Sequence, residues 1–154
     1  GAKIADLITT LIVNYDDFEK RSVISSAPYN NPSSYLSLKF IFKDNGEFYP
    51  YLVTRYKADN WLFVESFSIS ADGFRWDSPK LNFNRDHSNG KIWEWNTQAI
   101  TAETITMLEH MANSKDAIIR FQGRKYYDDY QLTDKQKLDL SRLIKIFKLA
   151  QAKL

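Results

Sequence analysis

Residues 117–123, AIIRFQG, the segment RKYYDDYQ at 124–131 and the run TDKQKLDLSRLIKIFKLAQAKL at 133–154 decide how this chain folds. Ile119 and Phe121 alternate with Arg120 and Gln122, the period-2 pattern of a strand with one buried face. Gly123 is suited to supply the positive φ of a tight turn, so the segment predicts a β-hairpin. A two-residue loop at Gly123-Arg124 sets Arg120 opposite Tyr127 with Asp129 on the diagonal, and a three-residue loop sets it opposite Asp128. Either register offers Arg120 a carboxylate.

Thr133 can cap the following helix while Gln136 reaches back to complete a capping box. Leu140, Leu143, Ile144, Phe147 and Ala150 then form one apolar face at helical spacing. Asp134 and Asp139 lie early in the helix, with Lys145, Lys148 and Lys153 late, as its dipole favours. Leu138, Ile146 and Leu149 fall off that face. They predict a second neighbour, most simply an N-terminal helix.

Such a helix is predicted from Lys3 to about Arg21 by the stripe Ile4, Leu7, Ile8, Leu11, Tyr15 and Phe18. Its polar side carries Asp6, Asp16, Asp17 and Glu19, which favours docking on the core over lying on a membrane. SSAPYNNPSS, residues 25–34, reads as loop. In YLSLKFIFK the apolar Leu36, Leu38, Phe40 and Phe42 alternate with Ser37, Lys39, Ile41 and Lys43, the cleanest strand pattern in the chain. Turns at Asp44-Asn45-Gly46, Ala58-Asp59-Asn60 and Ala71-Asp72-Gly73 divide strands Tyr49–Lys57, Trp61–Ala71 and Phe74–Asp77. Leu81–Arg85 and Lys91–Asn96 flank a turn ending in Asn89-Gly90. Thr101 caps a helix to about Asn113, with Ile100 and Ile105 placed as a hydrophobic staple. The expected fold is one α+β domain over residues 1–154. An antiparallel meander of about six to eight strands would carry N- and C-terminal helices, with an all-β sandwich as the alternative.

The 154 residues suit one core, and the 15% aromatic content favours sheet. A net charge of +2 from 21 basic and 19 acidic residues is too small an excess to identify an anionic partner. With no cysteine, disulfides and thiolate chemistry are excluded. No run approaches the length of an apolar membrane span. The opening Gly-Ala-Lys fits a processed product, and export to the periplasm or cell envelope is the expectation.

No assembled catalytic motif is present. His87 and His110 lack metal-ligand spacing and read as surface residues, so no metal or cofactor is assigned. Asp128 and Asp129 point to opposite faces of a strand and do not share a site. Lys137, Arg142, Lys145 and Lys148 gather on the last helix, where phosphate or anionic lipid could meet them, although a lysine-rich outer face is usually just solvated. Glu65 and Glu94 lie in strands, and two carboxylates brought together there would be the minimum for glycoside hydrolysis. Trp93 and Trp95 share one strand face, as do Phe74 and Trp76. Bare, these faces would stack sugars or bases; buried, they would be core. The residues singled out for ligand binding are Trp93, Trp95, Glu94, Arg120 and Tyr127.

From Ala112-Asn113-Ser114 into IIRFQGRKYYDDYQLTDKQK, the chain resembles small exported or envelope-anchored bacterial domains of unknown function. In these a helix, an R-F-x-G-x-x-Y-Y hairpin and a final helix recur. The match covers about the last third of the chain, with weaker similarity at KADNWLFVES and NGKIWEW. The resemblance implies the same fold and export, and no catalytic residues. The function expected is a non-catalytic binding or interaction domain of the bacterial cell envelope with a protein or glycan partner. The alternatives are a hydrolase of a polymer such as a glycan, using Glu65 or Glu94, and a nucleic-acid binder with an aromatic sheet face. Mixed charge and the lack of an RRM-type motif count against the last.

Overall fold

The structure is a computed structural model and describes residues 3–26 and 33–152. In chain order run α1 (Ile4–Leu7) with a 3-10 turn at Ile8–Thr10, then β1 (Ile12–Asp16), β2 (Arg21–Ser25), β3 (Tyr35–Lys43) and β4 (Phe48–Ala58). There follow β5 (Val64–Ala71), β6 (Phe74–Asp77), β7 (Asn84–Ser88), β8 (Lys91–Ala99) and α2 (Ala102–Asn113). The chain closes with β9 (Ala117–Gly123), β10 (Tyr127–Gln131) and α3 (Asp134–Gln151).

The fold is α+β and the sheets are antiparallel, but the expected single meander is two sheets. One has six strands in the order β1-β2-β3-β4-β8-β7, and the other has four, β10-β9-β5-β6. The meander fails at Ala58–Asn60. Instead of a hairpin turn, residues 59–63 carry the chain from β4 in one sheet to β5 in the other. Phe63 makes this crossing with φ 57, a backbone conformation uncommon for a bulky side chain.

Alternation decides which side of each strand is buried. Leu36, Leu38 and Phe40 from β3, Leu52 from β4 and Ile92 from β8 enter the core, where they join Phe67 and Ile69 from β5 and Ile119 and Phe121 from β9. Phe40 stacks on Phe147 of α3 with ring centroids 6.5 Å apart, which seats the last helix on the six-stranded sheet. Tyr56 on β4 packs its ring 5.1 Å from Phe121. Its hydroxyl donates to Asp128 Oδ2 at 2.8 Å, tying the sheets together. Burial and this bond both push the Tyr56 phenol well above its ordinary pKa.

The helix ends follow the sequence closely. Thr133 Oγ1 accepts from the Gln136 N–H at 3.1 Å, and Gln136 Oε1 accepts from the Thr133 N–H at 2.9 Å. Thr101 and Thr104 cap α2 in the same reciprocal way. On α3, Leu140, Leu143, Ile144, Phe147 and Ala150 are buried as the stripe requires. The off-face Ile146 is buried too, while Leu138 stays exposed. The second neighbour of α3 is chiefly α2, with α1 also in contact.

The long N-terminal helix is corrected. Only Ile4–Leu7 is α-helical, and Ile12–Asp16 pairs with Arg21–Ser25 as a hairpin. The helical stripe holds only as far as Ile8, and Leu11 is already extended. Beyond it, β-branched Ile12 and Val13 favour extended backbone, and the Asp16 carboxylate accepts from the N–H groups of Phe18 and Glu19 to form the turn. Phe18, counted as buried in the helix reading, is 92% exposed at the turn tip. The loop expected at 25–34 lies partly outside the described residues, and Ser25 belongs to β2.

Gly123 is needed for a reason other than the one expected. Its φ is not positive, but a Cβ there would lie 2.1 Å from the Leu62 carbonyl oxygen. The turn lies later in the chain than either reading puts it, at Arg124-Lys125, with Gly123 N–H donating to Tyr126 O at 2.7 Å. Arg120 therefore faces Asp129 directly. The left-handed pairs that do close hairpins are Asp72-Gly73 (φ 48 and 91) and Asn89-Gly90 (φ 51 and 76).

Candidate functional site

The six-stranded sheet buries one face against the helices and the second sheet. Its other face carries the alternate residues: Tyr35, Ser37 and Lys39 on β3, Val53 and Arg55 on β4, and Trp93, Trp95 and Thr97 on β8. These surround a groove of about 340 Å³, which is also lined by Ile12 and Asn14 of β1 and by Val23, Ser25 and Ser26. In a flat sheet β1 and β8 would stand about 19 Å apart, four strand spacings. That both line one groove requires the sheet to curl, with this face concave.

Register sets the order across the groove floor. Arg55 stands opposite Tyr35 on one side and opposite Trp95 on the other, and Lys57 stands opposite Trp93. The Arg55 guanidinium lies 5.8 Å from the Tyr35 ring centroid and 5.7 Å from that of Trp93. Lys57 Nζ lies 5.8 Å from the Trp93 ring. Both tryptophans are half-buried, so part of each indole stays open to the groove. Ser26 and Ser37 share a hydroxyl–hydroxyl bond of 2.8 Å on the same surface. The groove therefore offers flat aromatic surfaces, small polar groups and fixed positive charge together, the mixed lining of a small-molecule site.

Glu94, between the two tryptophans in sequence, points the other way and is fully buried. Its Oε2 accepts from the N–H groups of Leu62 and Phe63, each at 3.0 Å. Its Oε1 accepts from Val64 N–H and Arg85 Nε, each at 2.9 Å. Two bonds to each oxygen fill the acceptor sites of a carboxylate. Glu94 is thus committed to holding the crossing between sheets, with no oxygen left to meet a substrate. Glu65, on the other sheet, pairs with Lys80 at 3.6 Å. The two carboxylates that hydrolysis would need are not assembled.

Arg120 and Tyr127 lie on the four-stranded sheet, outside the lining of the groove. Arg120 makes a two-pronged bond to Asp129 at 2.8 and 3.0 Å and lies 3.9 Å from the Tyr127 ring centroid. The pair holds the Asp129 carboxyl below its usual range and raises the guanidinium. Asp128 points to the opposite face, where Tyr56 bonds it. Of the residues singled out from sequence, only Trp93 and Trp95 come together in the groove.

The remaining candidates are occupied structurally. Trp76 packs on Phe67 at 5.5 Å and donates to Glu103 Oε1 at 2.8 Å. Phe74 stacks on His110 at 3.8 Å. On α3, Lys137 bonds the carbonyl of Ser114 at 3.2 Å and Lys148 pairs with Glu109 at 3.3 Å, which breaks up the expected basic face. Among the described residues no group of acidic or histidine side chains could hold a metal ion, and no helix is long and apolar enough to cross a membrane.

Sequence reading missed Tyr35, Lys39 and Arg55 as site residues. Their one signal was position: Tyr35, Ser37 and Lys39 occupy the outward steps of the β3 alternation, but the strand that brings tryptophans alongside could not be known without the register. Set against protein-family models, curated proteins and solved structures, the chain matches none of them.

Proposed function

We propose that this chain is a non-catalytic binding domain of the bacterial cell envelope, whose concave groove takes a glycan. The observation that carries this reading is the half-open pair Trp93 and Trp95 beside the hydroxyl and amide groups of Asn14, Ser25, Ser37 and Thr97. A pyranose ring has an apolar face that suits an indole and a rim of hydroxyls that needs hydrogen-bond partners, and this lining supplies both. Saturation of Glu94 and the pairing of Glu65 with Lys80 favour binding over hydrolysis.

The test is calorimetric titration with oligosaccharides, comparing the wild type with Trp93→Ala and Trp95→Ala. Each substitution removes a stacking surface and is expected to weaken binding strongly while the circular dichroism spectrum is kept. Binding unchanged in both variants would remove the groove from the account. The envelope setting rests on the hairpin resemblance, and cell fractionation tests it: recovery only from the cytosol would end that part of the proposal.

A further inference from the structure

We infer that the chain has a second contact surface, the exposed aromatic and arginine cluster where it crosses between the sheets, and that this cluster docks on an anionic phospholipid bilayer. Phe63 is strained at φ 57, yet its ring is 40% exposed and lies outside the hydrophobic core. Glycine would make the same crossing without that strain, so the strain is not explained by packing. The fully buried Glu94 carboxylate, bonded to the N–H groups of residues 62–64, holds the ring outward. Trp61 is 37% exposed and stacks beside it, and Tyr126, on the turn that packs against Leu62, is 73% exposed.

Trp61 and Phe63 cover one face of each other, the Arg85 and Arg124 guanidinium groups lie over Phe63, and His87 meets Trp61 edge-on at 6.3 Å. The cluster therefore turns ring edges and guanidinium groups to solvent together. The headgroup layer of a bilayer receives both: aromatic side chains settle at its boundary with water, and guanidinium groups bond its phosphates. The acids around the cluster already have partners. Asp59 pairs with Lys91, Glu94 with Arg85, and Asp128 accepts from the Tyr56 hydroxyl. Register places Arg85 and His87 opposite Glu94 and Ile92, on the side of the sheet away from the groove, and Asp86 opposite Trp93 on the groove side. Among the described residues no acidic side chain is within ion-pair reach of Arg124 or Lys125, both exposed on the turn.

The experiment is cosedimentation with vesicles of phosphatidylcholine alone and of phosphatidylcholine mixed equally with phosphatidylglycerol. The protein is expected to bind the mixed vesicles, to leave them as salt is raised, and to bind the neutral ones weakly. Phe63→Asn removes the ring but keeps a residue that tolerates the left-handed backbone. It should weaken binding about tenfold, within what burial of a Phe ring contributes. Arg124→Gln should weaken it about fivefold, the effect of one cation near an anionic surface. Its exposed position keeps the test open should Phe63→Asn fail to fold. Trp93→Ala, in the groove, should bind vesicles as the wild type does, which separates this surface from the sugar site. Wild type left in the supernatant with the mixed vesicles would overturn the proposal, as would binding that survives both Phe63→Asn and Arg124→Gln. Equal binding to neutral and mixed vesicles would overturn the assignment of an anionic surface.

Discussion

The Glu94 carboxylate, rooted in β8, holds the backbone N–H of Phe63 at 3.0 Å while Phe63 sits at φ 57. A left-handed bulky residue costs energy, of order 1–3 kcal/mol, and three successive N–H groups converging on one acceptor offset that cost here. The contact spans the point where the chain leaves one sheet for the other. It also places Phe63 at the surface, stacked on Trp61 at 6.2 Å with the Arg85 and Arg124 guanidinium groups 5.3 and 5.4 Å from its ring.

Glu94→Gln should therefore be strongly destabilising. An amide cannot accept from all four donors, and Arg85 would lose its countercharge. Arg85 is exposed and keeps its hydration, so the loss comes chiefly from buried donors left without an acceptor, about 1–3 kcal/mol, and urea denaturation should show a loss on that scale. A Glu94→Gln midpoint equal to that of the wild type would mean that the crossing is held by something else.

Gly123→Ala tests the neighbouring contact. The added methyl meets the Leu62 carbonyl, which is backbone and cannot move aside without disturbing the crossing. Overpacking of this kind costs about 1–3 kcal/mol. Gly46→Ala is the useful comparison, because Gly46 has open space around it but a φ of +93. If Gly123→Ala melts with the wild type, β9 does not approach Leu62 this closely.

How far the sequence carried the reading can be followed residue by residue. The capping box Thr133/Gln136, the alternation Leu36-Leu38-Phe40 and the turn Asn89-Gly90 are local signals, and each appears where local chemistry puts it. The split into two sheets was not legible. It depends on Glu94 meeting residues 62–64, a contact about thirty positions apart that no periodicity encodes. The N-terminal helix failed because Leu11, Tyr15 and Phe18 fit a helical stripe by spacing alone. Tyr15 in fact projects outward and donates to Asp44 Oδ2 at 2.7 Å. Trp93 and Trp95 were legible as a pair, but their neighbours Tyr35, Lys39 and Arg55 arrive only through the β3–β4–β8 register.

The Arg120–Asp129 pair makes a pH prediction. Arg120 depresses the folded-state pKa of Asp129 below the 3.8 of an ordinary aspartate. A depressed carboxylate adds stability that is fully present above the unfolded value and is lost as pH falls through the folded one. Thermal melts of wild type and Asp129→Asn should therefore differ at neutral pH, with wild type the more stable, and converge below pH 3.8. The difference should be modest and shrink in salt, since both side chains are partly exposed. A gap that persists unchanged in strong acid would show that the loss in Asp129→Asn is not electrostatic.

The groove itself is tested most directly through the four indole N–H groups of the chain, Trp61, Trp76, Trp93 and Trp95. They report from separate places: two from the groove, one from the surface beside Phe63, and one bonded to Glu103. In a proton–nitrogen NMR titration with oligosaccharides, the Trp93 and Trp95 signals should shift together and saturably while those of Trp61 and Trp76 stay in place. Shifts confined to Trp61, or no saturable shift at Trp93 and Trp95, would contradict a ligand seated on the concave face of the six-stranded sheet.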